Sequence, residues 1–276
     1  MINAVGNRMT REIARQQKMA EQLDRTQIQI SSGKKLLRAS DDAVAARRIA
    51  TIGTTQASMT AWAANINSAQ AQVSQADSVL QSAANLLTRA RELTLSASSD
   101  TAGPADRATI AAELNSIAEE LDALAATRDA NGEPLFAAGT ARVVRFDSDV
   151  SFAPVPSAAD VFAIDGNSLS TGLRDAATAI AAGDQDGIGA ALTTLSTSIT
   201  HVADQNAALG LSGGRLDRIA DSLEVRGIAI ADERSAIEDT DLSVAIAQLN
   251  AMDLTLSAAQ AAFAKINRQT LFDILN

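Results

Sequence analysis

The 276-residue chain contains no cysteine and no tyrosine, and only one histidine and one tryptophan. Without cysteine it forms neither disulfides nor thiolate metal sites, and a zinc site needs more nitrogen ligands than one histidine supplies. General acid–base catalysis would have to rest on carboxylates, and no acidic pair lies in a recognisable catalytic context. The composition therefore predicts a protein that is not an enzyme and that has no catalytic, cofactor-binding or metal-binding residues.

Long apolar runs are also scarce. The N-terminal sequence MINAVGNRMTREIARQQ lacks the continuous apolar segment of a secretory signal, and we expect no later stretch to be long and apolar enough to cross a membrane. The sequence therefore predicts no membrane insertion, and any export would follow a route without a cleaved signal peptide.

Charge is unevenly placed along a chain whose net charge is −10. Residues 1–50 carry ten Lys or Arg against five Asp or Glu, but they include no aromatic side chain on which a base could stack. We therefore predict no nucleic-acid binding. The basic segment is interpreted as a solvated helix face or as an electrostatic match for residues 221–276, which hold nine acids and four bases.

Aromatic residues make up only 3% of the chain, whereas Ala and Leu are abundant, a mixture that suits close-packed helices. Apolar residues recur at alternating intervals of four and three from Trp62 to Ala90, which is a heptad seam. We predict a long helix that starts after the capping cluster Ser40-Asp41-Asp42 and ends at Ser98-Ser99-Asp100. Pro104 favours the start of a shorter helix.

A different composition follows this helix. Four of the six Phe and three of the four Pro lie between Glu133 and Phe162. Apolar and polar residues alternate from Val144 to Phe152, which predicts half-buried strands. A short helix is predicted from Leu169 to Ala182, then a turn over residues 183–187, and helical spacing returns towards Ala231, weakened by glycines at 210–214.

The order of elements is close to a palindrome: terminal helix, long helix, small β module, long helix and terminal helix. Each apolar helix stripe needs a partner, and only the other half of the chain offers one of similar length, so the chain is expected to fold back on itself. The predicted fold is mainly α: an elongated antiparallel helical rod, coiled-coil-like, with a small β-containing module inserted mid-chain. Three parts are expected. They are terminal assembly helices (1–42 with 236–276), a helical rod (43–130 with 171–235) and the β-containing module (131–170).

Several local patterns resemble binding motifs but favour simpler interpretations. Residues 184–187 lack the later ligands of a calcium loop, and residues 210–215 lack the Lys-Ser/Thr pair of a phosphate loop and are interpreted as a helix irregularity. Glu238, Asp239 and Asp241 are predicted to cap the following helix instead of holding a metal. His201 is predicted to be a surface or packed residue.

The apolar stripes of the first and last helices extend almost to the chain ends, where isolated domains usually become polar. One alternative is that the last helix packs within the chain on residues 1–30, whose apolar residues are Ile2, Val5, Met9, Ile13, Leu23, Ile28 and Ile30. Because these are few, we predict that apolar surface is left over and binds other copies of the chain or a partner helix. The predicted assembly interface is Ile2, Val5, Met9, Ile13, Leu249, Met252, Leu256, Phe263, Ile266, Leu271, Phe272 and Leu275.

Four segments resemble the flagellin superfamily, most closely its hook–filament junction proteins (hook-associated protein 3). ISSGKKLLRASDDAVAARRIA and RELTLSAS, at residues 30–50 and 91–98, are similar to the turn and long helix of the superfamily. ATRDANGEPLFAAG and AAFAKINRQTLFDILN, at residues 126–139 and 261–276, are similar to the junction proteins. The matching residues are Ser32, Gly33, Lys34, Asp41, Asp42, Thr127, Arg128, Asp129, Asn131, Gly132, Leu135 and Phe136. Ala43 and Pro134 depart from the family pattern.

The resemblance implies a structural subunit of the extracellular bacterial flagellum, exported unfolded by the flagellar type III apparatus, that joins hook to filament. Its implied partners are further copies of itself, hook-associated protein 1, flagellin and an export chaperone. The alternatives are a compact filament flagellin, an adhesin or binding module built on residues 131–170, and a helical-bundle enzyme.

Overall fold

The computed structural model describes the backbone of residues 2–99 and 103–274, and the side chains of residues 9–99 and 103–265. Helices dominate the described residues: α1 (Ile2–Ser32), α2 (Ala43–Ala97), α3 (Pro104–Ala125), α4 (Ala158–Phe162), α5 (Leu169–Ala182), α6 (Gln185–Glu238) and α7 (Leu242–Ile274). Two antiparallel pairs of short strands accompany them, β1 (Val144–Arg145) with β2 (Ser151–Phe152) and β3 (Ala163–Ile164) with β4 (Asn167–Ser168). The prediction of a mainly α fold with antiparallel helices and a β insertion is confirmed.

Helix α2 starts where its capping residues predict. The Asp42 carboxylate accepts the backbone N–H groups of Val44 and Ala45, with N···O distances of 3.0 and 2.9 Å. These are two of the N–H groups that a helix start leaves without an internal partner. With 55 residues, α2 is about 80 Å long. It ends at Ala97, directly before the predicted Ser98-Ser99 stop.

The chain forms two compact units, one of residues 1–56 with 227–276 and one of residues 57–226. In the unit of residues 57–226, the buried heptad positions of α2 from Ala76 to Ala90 form one apolar cluster with residues of α3, α5 and α6. Trp62 and Val73 are half-buried, and the other heptad positions are buried: Ile66, Ala69, Ala76, Leu80, Ala83, Leu87 and Ala90. The predicted heptad seam is therefore the core of this unit.

The predicted alternation around β1 and β2 is confirmed. Val144 pairs with Phe152 and both are half-buried, whereas Arg145 and Ser151 are exposed. The Phe152 ring packs on the buried Phe146 ring at 4.8 Å between centroids. The hairpin is therefore amphipathic, as its sequence period indicates.

Helices α2 and α6 hold this hairpin in place. The Arg215 guanidinium carbon of α6 lies 4.1 Å from the centre of the Phe152 ring, a cation–π contact. Arg226, also on α6, forms an ion pair with Asp147, and Asn65 of α2 donates to the Arg145 carbonyl at 2.8 Å. The hairpin is thus fixed to both long helices within this unit.

Two sequence predictions are wrong. Residues 210–214 form no helix irregularity, since α6 continues through them: buried Leu209 and Leu216 anchor the helix on both sides and offset the low helix propensity of glycine. The predicted turn at 183–187 is also shorter, because Gly183 takes a left-handed conformation at the end of α5 and α6 already begins at Gln185.

A third expectation also fails. Residues 242–265 of α7 are long and apolar enough to cross a membrane by length and composition, contrary to the expectation that no stretch is. The reason is that Asp253 and Lys265 are the only charged residues among these 24. Length and composition alone do not separate a membrane span from a helix that packs on other helices.

Two leucines on α6 test the core assignment. Leu216 is fully buried and Leu211 is 77% exposed. We expect Leu216→Ala to lower the free energy of unfolding by about 2–5 kcal/mol, because it removes buried methyl groups and leaves a cavity. The matched control Leu211→Ala should change it by less than about 0.5 kcal/mol. Urea denaturation followed by circular dichroism measures both, and equal effects would contradict the assignment.

Candidate functional site

The first candidate site is the turn after α1, which carries the Ser-Gly-Lys motif. Gly33, with φ of +71°, ends α1 in the left-handed conformation that glycine adopts most easily. The Lys35 N–H donates to the Glu238 carbonyl, and the Thr240 N–H donates to the Gly33 carbonyl, both at 2.8 Å. The connection between α1 and α2 is therefore hydrogen-bonded to the connection between α6 and α7.

Charged side chains reinforce this contact. Lys34 and Arg234 both pair with the Glu238 carboxylate, Arg234 at 2.8 Å. Hydrogen bonds from Lys34, and then from Arg234, hold the pKa of Glu238 below its ordinary value. Arg48 binds Glu233 through two nitrogens at 2.5 and 2.8 Å. Basic residues of the first segment thus meet acidic residues of the last, as their charges predict.

Asp241 explains the start of α7. Its Oδ1 atom accepts the N–H groups of Ser243 and Val244 at 2.9 and 3.2 Å, which is the N-cap arrangement. The neighbouring Asp239 accepts instead from the Ser235 hydroxyl, one turn back on α6. Of the three acids predicted to cap, only Asp241 caps α7. Asp239 bonds to the Ser235 hydroxyl near the end of α6, and Glu238 pairs with Lys34 and Arg234.

The terminal helices α1 and α7 pack against each other through stripes of heptad spacing. On α7 the stripe consists of buried Ala245 and half-buried Leu249, Met252, Leu256, Ala259 and Phe263. On α1 it consists of Glu12, Gln16, Met19, Leu23, Thr26 and Ile30, buried or half-buried. Half of the α1 stripe is polar. The Nε2 atom of Gln16 is buried with no hydrogen-bond partner among the described residues.

The residues predicted to form the assembly interface are thus placed in two ways. Leu249, Met252, Leu256 and Phe263 lie half-buried on the face of α7 that packs on α1. Met9 and Ile13 of α1 are 42% and 43% exposed. The remaining predicted residues lie outside the described side chains: Ile2, Val5, Ile266, Leu271, Phe272 and Leu275. Five further apolar residues of α1 and α7 are each more than 40% exposed: Ile28, Leu242, Val244, Ile246 and Leu254. Sequence periodicity places Leu242 and Ile246 on the apolar stripe of α7 but misses Val244 and Leu254, which lie off it.

The second candidate site is the turn that carries Asp129, Asn131 and Gly132. The Gly132 N–H donates to the Asp129 carbonyl at 3.0 Å, and the Asp129 N–H donates to the Glu133 carbonyl at 2.8 Å. Gly132 has φ of +81°. This is the pattern of a three-residue hairpin loop with glycine in the left-handed position. The motif residues therefore specify a backbone turn.

The Asp129 carboxylate fills the inside of this turn. One oxygen accepts the N–H groups of Asn131 and Glu133 at 2.9 and 3.0 Å, and the other accepts from the Gln72 amide at 3.0 Å. Burial would raise the pKa of Asp129, but these three donors and the charge of Arg142 outweigh it, and the pKa is lowered. The carboxylate is thus held ionised.

The turn delivers the motif's apolar pair to the core. The Leu135 N–H donates to the Thr127 carbonyl at 2.9 Å, and both Leu135 and Phe136 are buried. The Phe136 ring meets Phe162 edge to face at 5.3 Å. Gln72 and Gln75 of α2 secure the turn from outside, and sequence reasoning missed them because they precede it by more than fifty residues and carry no local signal.

His201 has a structural contact, as predicted. Its Nε2–H donates to the Asp160 carbonyl at 2.9 Å, which ties α6 to α4. Between residues 9–99 and 103–265, no group of three or more potential metal-ligating side chains converges.

Comparison with known families matches the two halves of the chain separately. Residues 3–142 match the bacterial flagellin N-terminal helical region, and residues 192–275 match the bacterial flagellin C-terminal helical region. The chain belongs to the bacterial flagellin family. The matched parts cover both motif turns and both terminal helices, as the sequence resemblance predicts. The chain has no match among curated proteins.

Solved structures support the flagellin-family fold. A Vibrio parahaemolyticus protein described as a flagellar hook-associated protein is 17% identical, with a TM-score of 0.65, and covers 72% of this chain and 100% of its own. FlgL of Xanthomonas campestris is 13% identical, with a TM-score of 0.58, over 67% of this chain and 99% of its own. FlgL of Bacillus cereus is 17% identical, with a TM-score of 0.50, over 67% of this chain and 99% of its own.

Family membership fixes the general role of the chain. Flagellin-family proteins are structural components that assemble into the flagellum, an extracellular bacterial appendage. This chain is therefore a flagellar structural subunit and not an enzyme, as its composition predicts.

The Glu238 ion pairs predict that the contact between the two connections weakens in acid. Because its pKa is lowered on folding, Glu238 stabilises the folded chain above its ordinary pKa of 4.5, and the stabilisation is lost as the pH falls through the lower folded value. We expect the hydrogen-exchange protection of the Lys35 and Thr240 amides, corrected for intrinsic rates, to fall about fivefold below that pH.

In Glu238→Gln the same protection should already be low at neutral pH and should change little on acidification. Glu224→Gln, which replaces an exposed carboxylate on the same helix, serves as the matched control and should behave like the unsubstituted chain. An acid-independent protection in the unsubstituted chain would contradict the role of Glu238.

Proposed function

We propose that this flagellar subunit is the adaptor that joins hook to filament, and that it assembles through its terminal helices α1 and α7. The observation that carries the proposal is the exposed apolar surface of these two helices. Of the thirteen large apolar residues that are exposed among the described side chains, seven lie on α1 or α7. Full burial of such a side chain contributes about 1.5–3 kcal/mol, and because these seven are 42–73% exposed, each would gain roughly half of that or more against a neighbour.

The pairing of α1 with α7 explains why this surface is left over. Polar Glu12, Gln16 and Thr26 interrupt the α1 stripe, so the two helices cannot bury a continuous apolar seam against each other. An unpartnered buried amide such as that of Gln16 is also costly. The pair therefore gains stability when further helices cover it, so that ordering of the helices is coupled to assembly.

The predicted interface residues take part in this assembly in two ways. Met9 and Ile13 contact neighbouring subunits directly, together with Leu242, Val244, Ile246 and Leu254. Leu249, Met252, Leu256 and Phe263 set the pairing of α1 with α7 that presents this surface. The division into terminal assembly helices (1–42 with 236–276), helical rod and β-containing module remains part of the proposal.

Two observations favour the junction over the filament. The solved structures similar to this chain include proteins named FlgL and hook-associated protein, which share its fold. The Asp129 turn and the sequence AAFAKINRQTLFDILN also resemble the junction proteins. A junction subunit would have further copies of itself, hook-associated protein 1 and flagellin as neighbours. Export by the flagellar type III apparatus with a chaperone bound to α7 would explain how such an apolar helix is kept soluble before assembly.

The position of the subunit along the flagellum is the test of the junction role. Because the chain has no cysteine, Thr140→Cys creates a single thiol at an exposed position for a maleimide dye. We expect one fluorescent focus per flagellum, at the filament base, in a strain whose motility the variant restores. The unsubstituted chain should take up no dye. Staining along the whole filament would identify a filament flagellin instead and would contradict the proposal.

A second test concerns the exposed surface of α7. Leu254 is 73% exposed. Leu254→Asp should leave the helicity and unfolding midpoint of the monomer unchanged but reduce its incorporation into flagella by about tenfold or more, because a charge replaces apolar area that assembly buries. Asn250→Asp, at a neighbouring exposed position, is the matched control and should assemble. Normal incorporation of Leu254→Asp would exclude this face from the interface.

A further inference from the structure

The Asp129 turn contains the only Asn-Gly pair of the chain, Asn131-Gly132. An asparagine followed by glycine is prone to deamidation, because no side chain shields the nitrogen of the next residue. Both residues are exposed, so water and solvent base reach them. The residues that form the turn are therefore also a potential site of covalent change.

The reaction needs only water. The backbone nitrogen of Gly132 loses its proton to solvent base and attacks Cγ of Asn131. The new nitrogen–carbon bond closes a five-membered succinimide, while the side-chain carbon–nitrogen bond breaks and ammonia leaves. Water then opens the ring at one of its two carbonyls and leaves aspartate or isoaspartate.

The folded turn opposes each requirement of the attack. The attacking nitrogen must give up its proton, but the Gly132 N–H is held by the Asp129 carbonyl at 3.0 Å. The nitrogen must also swing towards Asn131 Cγ by rotation of the backbone between the two residues. That rotation is restrained on both sides, because the Asp129 carboxylate binds the N–H groups of Asn131 and Glu133 at 2.9 and 3.0 Å.

Two contacts outside the loop add to the restraint. The Arg128 guanidinium donates to the Gly132 carbonyl at 2.6 Å, and the Gln72 amide of α2 fixes the second oxygen of Asp129 at 3.0 Å. We propose that Asn131 is a deamidation site and that the hydrogen bonds of Asp129 protect it from deamidation in the folded chain.

Deamidation of Asn131 would change the structure of the turn. Isoaspartate adds a carbon atom to the backbone, and either product adds a negative charge next to Asp129 and Glu133. The Asp129 N–H to Glu133 carbonyl bond of 2.8 Å, which closes the loop, could not keep its geometry. The hairpin positions buried Leu135 and Phe136, so this covalent change would reach the core of its unit.

The test compares deamidation rates at Asn131 by peptide mapping and mass spectrometry after incubation in mildly alkaline buffer. We expect the folded chain to deamidate at least about tenfold more slowly than the same chain unfolded in urea. Asp129→Ala, folded by circular dichroism, should lose most of this protection. Asp106→Ala also removes a carboxylate that accepts a backbone N–H, but at the start of α3, and should retain the protection.

Equal rates in the folded and unfolded chains would overturn the proposal, as would a folded Asp129→Ala variant that deamidates no faster than Asp106→Ala. If Asp129→Ala does not fold, Gln72→Leu replaces it, because it removes only the contact that orients the Asp129 carboxylate. We expect its rate at Asn131 to rise about threefold, and an unchanged rate would also overturn the proposal.

Discussion

The structure depends on the apolar stripe of α2, which must be covered along its length. From Ile66 to Ala90 every heptad position except half-buried Val73 is buried, with small alanines alternating with larger residues. The alanines let neighbouring helices approach closely, while each buried leucine or isoleucine contributes about 1.5–3 kcal/mol. Surface contacts could not replace the stabilisation by these buried side chains, because each exposed ion pair contributes about 1 kcal/mol or less. Buried residues of α3, α5 and α6 join the stripe from Ala76 to Ala90 in one apolar cluster, which supplies most of the stability of this unit.

The functional features are attached to this core by polar contacts. Gln72 and Gln75 lie on the flanks of the α2 stripe and hold the Asp129 turn, and Asn65 holds the β1–β2 hairpin. Each is a hydrogen bond with a net contribution of about 1 kcal/mol, enough to select a position but not to build a fold. The core thus supplies the stability of this unit, and the polar contacts determine the placement of its motif turns.

The terminal helices show what happens when the same heptad pattern is incomplete. The α7 stripe is as regular as that of α2, but its partner α1 presents Glu12, Gln16 and Thr26 at seam positions. Ala245 is the one buried apolar residue on the described part of α7, whereas the α2 stripe is buried almost throughout. The difference lies in the partner helix and not in α7 itself. A pair of helices that leaves this much apolar surface exposed is suited to pack on further helices.

Most of the fold was predicted from the heptad spacing of apolar residues and from helix-capping residues, because both signals depend on residues close together in the sequence. The heptad spacing from Trp62 to Ala90, the Asp42 cap and the Pro104 start act within a few residues of the elements they define, and the structure has them where expected. The glycines at 210–214 led to the wrong prediction of a helix irregularity, because local helix propensity takes no account of the burial of Leu209 and Leu216. The exposure of Leu242 and Ile246 on α7 was not predicted for the converse reason: a helix pattern shows which residues share a face, but not which face its neighbour covers.

The candidate site was predictable as motif positions but not as contacts. Nothing near Asp129 in the sequence indicates that Gln72 binds it. The charge pattern predicts that residues 1–50 match residues 221–276, but it does not single out the pair of Lys34 with Glu238, because only the fold joins them. Once they are joined, the chemistry of the site follows. The carboxylates of Asp42, Asp129 and Asp241 accept backbone N–H groups, and that of Glu238 is held by two cations. These contacts lower the pKa values of Asp129 and Glu238, whereas a catalytic acid needs a raised pKa and room for a substrate. The motif residues of this subunit therefore shape and join segments of the chain, which is the work of a structural protein.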